Sequence, residues 1–389
     1  MREYLFLLLI LVIILIVIIA YCINFRQYTS LTLPDDTKPR EGLTPKYGGF
    51  SRQKSIDWDK IEIGKKLGSG AWGDVFLADY NGNKYALKKE KILPRFVTTF
   101  SDSMEMKFYR YINKLPKNEQ KYFIKLYGWR IYKCDYIHEI PIFLLERAKD
   151  PKWAKLIEKY KKSPYCAEYL LEYGGKSLMN MIDKIMERGE KINIQKMRNI
   201  TYQVLRAIQI AHKGKFALID VHAGNVTIEN GSIKMVDYGD VGELFPKNDN
   251  RDVLNVIEMM SNAAYLFKRI DLLKRKAPNR IKYIEFIQDQ GHWDDVAKYI
   301  VKIRPEAKPV IKKMKKKLPL TDEDYKKMSG IGLIHSILYQ EECDDYHEKV
   351  LDMKVKDIPF LLPKEDMLYM LEYIDNIPRL LTYFRQLSK

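Results

Sequence analysis

Cysteine and histidine are scarce in this chain, with four of the first and six of the second among 389 residues. Cys22 falls in an apolar N-terminal run. Cys134, Cys166 and Cys343 are an odd number at wide spacing, which offers neither a disulfide framework nor a metal-ligand pattern. His292, His335 and His347 also stand at no metal-site spacing. These absences speak against a zinc domain or a disulfide-built secreted scaffold and favour a reducing compartment. Nor is the chain poor in apolar residues: 46% apolar against 30% charged is a globular composition, not a disordered one.

One long apolar run is present. Leu5–Ile23 would span roughly 28 Å as a helix, close to the roughly 30 Å of bilayer hydrocarbon, and it is apolar on every face. No Ala-x-Ala cleavage pattern follows it. The sequence therefore predicts an uncleaved transmembrane anchor in residues 1–25. A juxtamembrane linker over 26–57 follows, broken by Pro34, Pro39, Gly42, Pro45, Gly48 and Gly49, and then one domain over 58–389. Arg26, Lys38 and Arg40 after the run, against Arg2 before it, favour the cytosolic side for that domain in a single-pass protein, with a lumenal orientation as the alternative.

The domain opens with a strand at Ile61, then Gly68-Ser69-Gly70-Ala71-Trp72-Gly73-Asp74-Val75. Gly-x-Gly-x-x-Gly alone fits several phosphate loops. Here no helix follows. Val75–Tyr80 predicts a strand, Asn81-Gly82 a tight hairpin, and Lys84-Tyr85-Ala86-Leu87-Lys88 a further strand. Ser103–Ile112 predicts a helix with Met104, Phe108 and Ile112 on one face, and Glu105 on it is the best-placed carboxylate for Lys88. Ala167–Leu178 predicts a last strand, a hinge at Glu172-Tyr173-Gly174 and a helix start. The segment 142–146 competes for the same strand, and the basic stretch Lys149–Lys162 is an insertion.

After a helix over Lys196–His212 come Asp220-Val221-His222-Ala223-Gly224-Asn225, a hairpin at Asn230-Gly231, and Asp237-Tyr238-Gly239. Asp and Asn beside Gly are common turn formers. Gly68, Gly70, Gly73, Lys88, Asp220, Asn225 and Asp237 in this order resemble the protein-kinase-like superfamily, from about Lys60 to Asp252. The resemblance implies an α+β, two-lobed protein-kinase-like fold with a small β-rich N-lobe (about 58–173) and a mostly helical C-lobe (about 174–389), here preceded by one transmembrane helix. It implies ATP and Mg²⁺ as cofactors. Gly68, Ser69, Gly70, Ala71, Gly73, Val75, Ala86, Lys88, Glu105, Glu172 and Tyr173 would bind the nucleotide, Asn225 and Asp237 the metal, and Asp220 with Lys88 would be catalytic.

The chain departs from that family. Leu218-Ile219 replaces the usual His-Arg, so no phosphate-pairing arginine precedes Asp220. Asp-x-His-x-x-Asn resembles the aminoglycoside and choline kinase branch more closely. Only about fifteen positions separate Asp237 from Asp252, which resembles the carboxylate that ties down the catalytic loop. There is no Ala-Pro-Glu, and no Ser, Thr or Tyr between Asp240 and Arg251. The remainder reads as helical, with Met259, Tyr265, Leu272, Ile284, Ile287, Ile300, Ile334, Leu338, Leu371 and Leu380 as core. Lys312–Lys317 reads as a solvated helix face, and nothing points specifically to nucleic acid. The expected function is an atypical protein kinase passing phosphate from ATP to a hydroxyl, a protein acceptor being favoured over a small molecule. A small-molecule or glycan kinase and a membrane-anchored pseudokinase scaffold are the alternatives.

Overall fold

The protein's structure, a computed structural model, describes residues 46–49, 56–70, 72–138, 151–244, 246–261, 288, 291–328, 331–339 and 361–388. Its first layer is an antiparallel sheet of six strands: β1 (Lys46–Gly49), β2 (Glu62–Ser69), β3 (Gly73–Tyr80), β4 (Asn83–Ile92), β5 (Leu126–Lys133) and β6 (Tyr165–Glu172). They lie in the order β1-β5-β6-β4-β3-β2. Asn81 and Gly82, at φ 54° and 73°, close the β3–β4 hairpin, as the two-residue turn with both φ positive requires. β4 and β6 pair without a break from Tyr85↔Glu172 to Ile92↔Tyr165. β1 falls within the stretch expected to be linker, yet it pairs with β5.

Helix α1 (Met104–Lys114) packs on the sheet. Ser103 caps it, accepting from the Met106 N–H, and Met106, Phe108, Tyr109 and Ile112 are its buried face. Met104, expected on that face, is only half-buried. Helix α2 (Pro151–Lys162) belongs to an insertion between β5 and β6. The competing segment 142–146 lies outside the described residues.

The second layer is mostly helical. Strand β7 (Lys176–Ser177) leads into α3 (Leu178–Arg188) and α4 (Ile194–Lys213). Asn193 caps α4, accepting from the Lys196 N–H at 2.9 Å, and Ile200, Val204, Ile208 and Ala211 are buried. Next come β8 (Phe216–Ala217), β9 (Val226–Glu229), β10 (Ser232–Met235) and β11 (Gly242–Glu243), then α5 (Pro246–Met260), α6 (Trp293–Ile303), α7 (Lys308–Lys315), α8 (Ile331–Leu338), α9 (Lys364–Glu372) and α10 (Ile377–Leu387). β10-β9-β7 and β11-β8 form two small sheets. Met259, Ile300, Ile334, Leu371 and Leu380 are core, while Leu338 is half-buried. Tyr265, Leu272, Ile284 and Ile287 lie outside the described residues.

Three expectations are corrected. Among the described residues no helix is long and apolar enough to cross a membrane. The longest, α4 with 20 residues, carries Lys196, Arg198, Arg206 and Lys213. Leu5–Ile23, on which the preceding transmembrane helix rested, lies outside them. The described architecture is therefore α+β with no transmembrane helix shown before it, and the single-pass membrane localisation with a cytosolic domain loses its support. The cysteines are the third case: Cys134 and Cys166 form a disulfide. Sequence spacing could not show this, because the pairing of β5 with β6 brings the two residues together.

Candidate active site

Lys88 stands near the middle of β4, and its side chain enters the space under α1. Its Nζ lies 3.0 Å from Asp237 Oδ1, 3.4 Å from Glu90 Oε2 and 3.5 Å from Glu105 Oε1. Burial alone would lower the Lys88 pKa, but Asp237, Glu105 and Glu90 hold it well above the ordinary lysine value. Burial pushes the Glu105 carboxyl up to about 7 against the pull of Lys88. The Tyr169 hydroxyl, on β6, is 2.6 Å from Glu90 Oε1 and 3.3 Å from Glu105 Oε2. Four side chains thus fix where the ammonium points.

Asp220 sits on an exposed turn after β8. The turn is held from beneath by Asp252 of α5, fully buried, which accepts from the N–H groups of Leu218 (3.0 Å) and Ile219 (2.8 Å) and lies 2.8 Å from His212 Nε2. Asn225 Nδ2 donates to the Asp220 carbonyl (3.1 Å) and to its Oδ2 (3.0 Å). The Val236 N–H donates to the Asn225 carbonyl at 2.9 Å, so Asn225 and Asp237 are neighbours. The Gly224 N–H donates to His222 Nδ1 at 3.0 Å. That leaves Nε2 to carry the proton of a neutral ring, 3.5 Å from Asp220 Oδ2. Asp240 closes the cluster, its pKa raised by burial and then by Asp220 and Asp237. Tyr238 is buried against Phe108 and Tyr109. Its hydroxyl donates to the Met235 carbonyl (2.6 Å) and accepts from the Ile124 N–H (2.9 Å).

Asn225 and Asp237 offer a divalent cation an amide oxygen and a carboxylate. The Asn225 amide nitrogen is spent on Asp220, so its oxygen is the atom left for a hard ion, and the pair suits Mg²⁺ completed by phosphate oxygens and water. Among the described residues no group of three or more His, Cys, Asp or Glu is arranged to hold a metal alone.

The glycine-rich turn closes on itself, the Gly70 N–H donating to the Gly73 carbonyl at 2.8 Å. A Cβ on Gly73 would lie 2.3 Å from the Lys89 carbonyl, so this glycine is required by strand packing. Gly68 faces open space, and a Cβ on Gly70 would meet the Gly73 carbonyl at an ordinary 3.7 Å. Ala71 lies outside the described residues. Ser69 Oγ donates to Asp74 Oδ1 at 2.5 Å. Val75 and Ala86 are half-buried on neighbouring strands. Glu172 receives Lys234 Nζ at 3.0 Å, and its own N–H is spent on the Lys125 carbonyl; Tyr173 is half-buried beside it.

No family model matches the chain. Among curated proteins it shows 27% identity over 187 residues to the MAP kinase kinase MKK1/SSP32 of Saccharomyces cerevisiae, which covers 48% of this chain and 30% of that protein. Over about half its length the chain is similar to a protein kinase. The match spans less than a third of that relative.

The structure brings Lys88, Glu105 and Asp237 together, and Asp220 with Asn225. Glu90, Tyr169 and Asp74 were not singled out from the sequence. Glu90 had a signal, since its i+2 spacing from Lys88 puts both on one face of a strand. Tyr169 and Asp74 had none, because their partners come from strand register and from the insertion.

Proposed function

We propose that the chain is an ATP-dependent phosphotransferase that passes the γ-phosphate to a hydroxyl, most readily that of a protein. The observation that carries it is the meeting of Lys88 with Glu105 and Asp237, 17 and 149 residues away, beside the Asp220–Asn225 turn. An ammonium held among three carboxylates is poised to exchange one of them for phosphate oxygens, and Lys88 would take the α- and β-phosphates. Bound Mg²⁺ would neutralise phosphate charge, held by Asn225 and Asp237. With the Glu172 N–H already used, adenine would meet the Glu172 carbonyl and the backbone of Gly174. Asp220, exposed and oriented through Asn225, would align the acceptor hydroxyl and take its proton.

A second reading, a small-molecule acceptor, is favoured by one feature. Only residues 240–245 lie between Asp237-Tyr238-Gly239 and α5, and Gly242-Glu243 among them is tied to β8. That is little chain for docking a peptide. Labelled ATP with Mg²⁺, the purified chain, and separate protein and metabolite mixtures test both readings. Lys88→Met and Asp237→Asn are expected to weaken nucleotide binding. Asp220→Asn is expected to keep it and to lose transfer by roughly 10²–10⁴-fold. Parental transfer by Asp220→Asn would remove Asp220 from the chemistry. Nucleotide binding with no transfer to either mixture would favour the scaffold.

A further inference from the structure

Away from the Lys88 cluster, the insertion between β5 and β6 lines an open cavity of about 860 Å³ together with Trp72 of the glycine-rich turn, Lys91 of β4 and Lys133 of β5. Its charge is one-sided. Lys91, Lys133, Lys161 and Lys162 line it, Lys162 Nζ being paired with Glu158 at 2.7 Å, and Asp135 is the one carboxylate among its described lining residues. Lys91 is 8% exposed, and its Nζ donates at 2.6 Å to the Ser163 carbonyl, a neutral acceptor. Burial lowers its pKa, with Asp135 opposing and Lys89 adding to the shift. Trp72 and Tyr160 form an aromatic wall, stacked with centroids 4.4 Å apart, and both line the cavity. Lys91 and Lys89 alternate with Lys88 along β4, so the cavity lies on the opposite face of the sheet from the Lys88 cluster.

We propose that this cavity binds a small phosphorylated molecule with a planar body. Lysines lining one space can supply point-charge donors for phosphate oxygens, and Lys133 and Lys161 are exposed. The rings of Trp72 and Tyr160 offer the planar body an apolar surface. The volume is that of a site for a drug-sized ligand. The inference does not depend on phosphate transfer by the chain.

Calorimetric titration of the full chain with phenyl phosphate and with inorganic phosphate tests it. Phenyl phosphate is expected to bind more tightly than inorganic phosphate. The double variant Lys133→Glu, Lys161→Glu alters exposed side chains only and is expected to fold, as circular dichroism would check. It should bind phenyl phosphate at least tenfold more weakly. Lys88→Met should keep the parental affinity, because the catalytic lysine is on the other face. Trp72→Ala should bring the two affinities close together. Absence of phenyl phosphate binding to the parent, equal affinity in the double variant, or loss of binding in Lys88→Met would overturn the proposal. An unchanged preference for phenyl phosphate in Trp72→Ala would overturn the aromatic wall.

Discussion

Asp74 concentrates more polar contacts than any residue singled out from the sequence. It is 5% exposed, at the start of β3. Lys66 Nζ lies 2.6 Å from its Oδ1, Ser69 Oγ and the Tyr136 hydroxyl donate to it, and His138 Nδ1 is 3.5 Å away. Burial alone would raise its pKa, but the bonds from Lys66, Ser69 and Tyr136 and the charge of His138 bring it from the ordinary 3.8 down to about 2. A carboxyl whose folded pKa is depressed adds stability that is complete above its unfolded pKa and is lost as pH falls through the folded one. Here the window is from about pH 4 to about pH 2, and the shift corresponds to about 2 kcal/mol at neutral pH. Asp74→Asn is therefore expected to be less stable than the parent by about that amount at pH 7. The difference should shrink as pH falls through the window. Urea unfolding at pH 7 and pH 3 measures it, and a gap of equal size at both would show that the charge of Asp74 is not what stabilises. Ile219 shows the opposite relation of residue to backbone. It is a β-branched side chain at φ 65°, a costly conformation that the bonds from its N–H to Asp252 and to its carbonyl from Asn255 keep in place.

At the scale of elements, the parts legible in the sequence were those fixed by local chemistry. Asn81-Gly82 and Asn230-Gly231 take positive φ and close two-residue hairpins, because few other pairs can. The runs Ser103–Ile112 and Lys196–His212 predicted two helices within a few residues of their bounds. The buried face of α1 was less legible. Periodicity offered Met104, Phe108 and Ile112; Phe108 and Ile112 are buried, but Met106 and Tyr109 complete the face in place of Met104, with Tyr238 against Phe108 and Tyr109, and only the packing partner decides that rotation. The three glycines looked equivalent and are not. Overpacking costs about 1–3 kcal/mol, and a Cβ on Gly73 would strike the β4 backbone, whereas one on Gly68 meets nothing within 4 Å. Gly73→Ala is expected to lose stability in that range, while Gly68→Ala folds like the parent and shows any effect in nucleotide binding. Thermal unfolding beside nucleotide titration separates the two, and equal stability of both variants would refute the packing role of Gly73.

For the whole molecule, the least legible feature is the insertion between β5 and β6. The sequence marks it only as a basic insertion, yet it reaches the glycine-rich turn through Trp72–Tyr160 and holds Asp74 through Tyr136 and His138. Contacts between segments so far apart in sequence leave no periodic trace. The Cys134–Cys166 disulfide joins the two ends of this insertion, 32 residues apart. At its base the Cys134 N–H donates to the Pro164 carbonyl at 2.9 Å, and β5 and β6 continue in register below from Tyr132↔Cys166. Closing a loop of that length in the unfolded chain corresponds to about 4 kcal/mol on the chain-entropy model. Cys134 is half-buried and Cys166 fully buried, so Cys134→Ser removes the bond with the smaller disturbance of packing. Without reductant this variant is expected to unfold at lower guanidinium concentration than the parent, by up to about 4 kcal/mol. With dithiothreitol present the parent should move to meet it, since the restraint is then gone from both. Coincident unfolding curves in the absence of reductant would show that the two sulfurs are not bonded in the folded protein, and that strand pairing and the Asp74 contacts alone hold the insertion on the sheet.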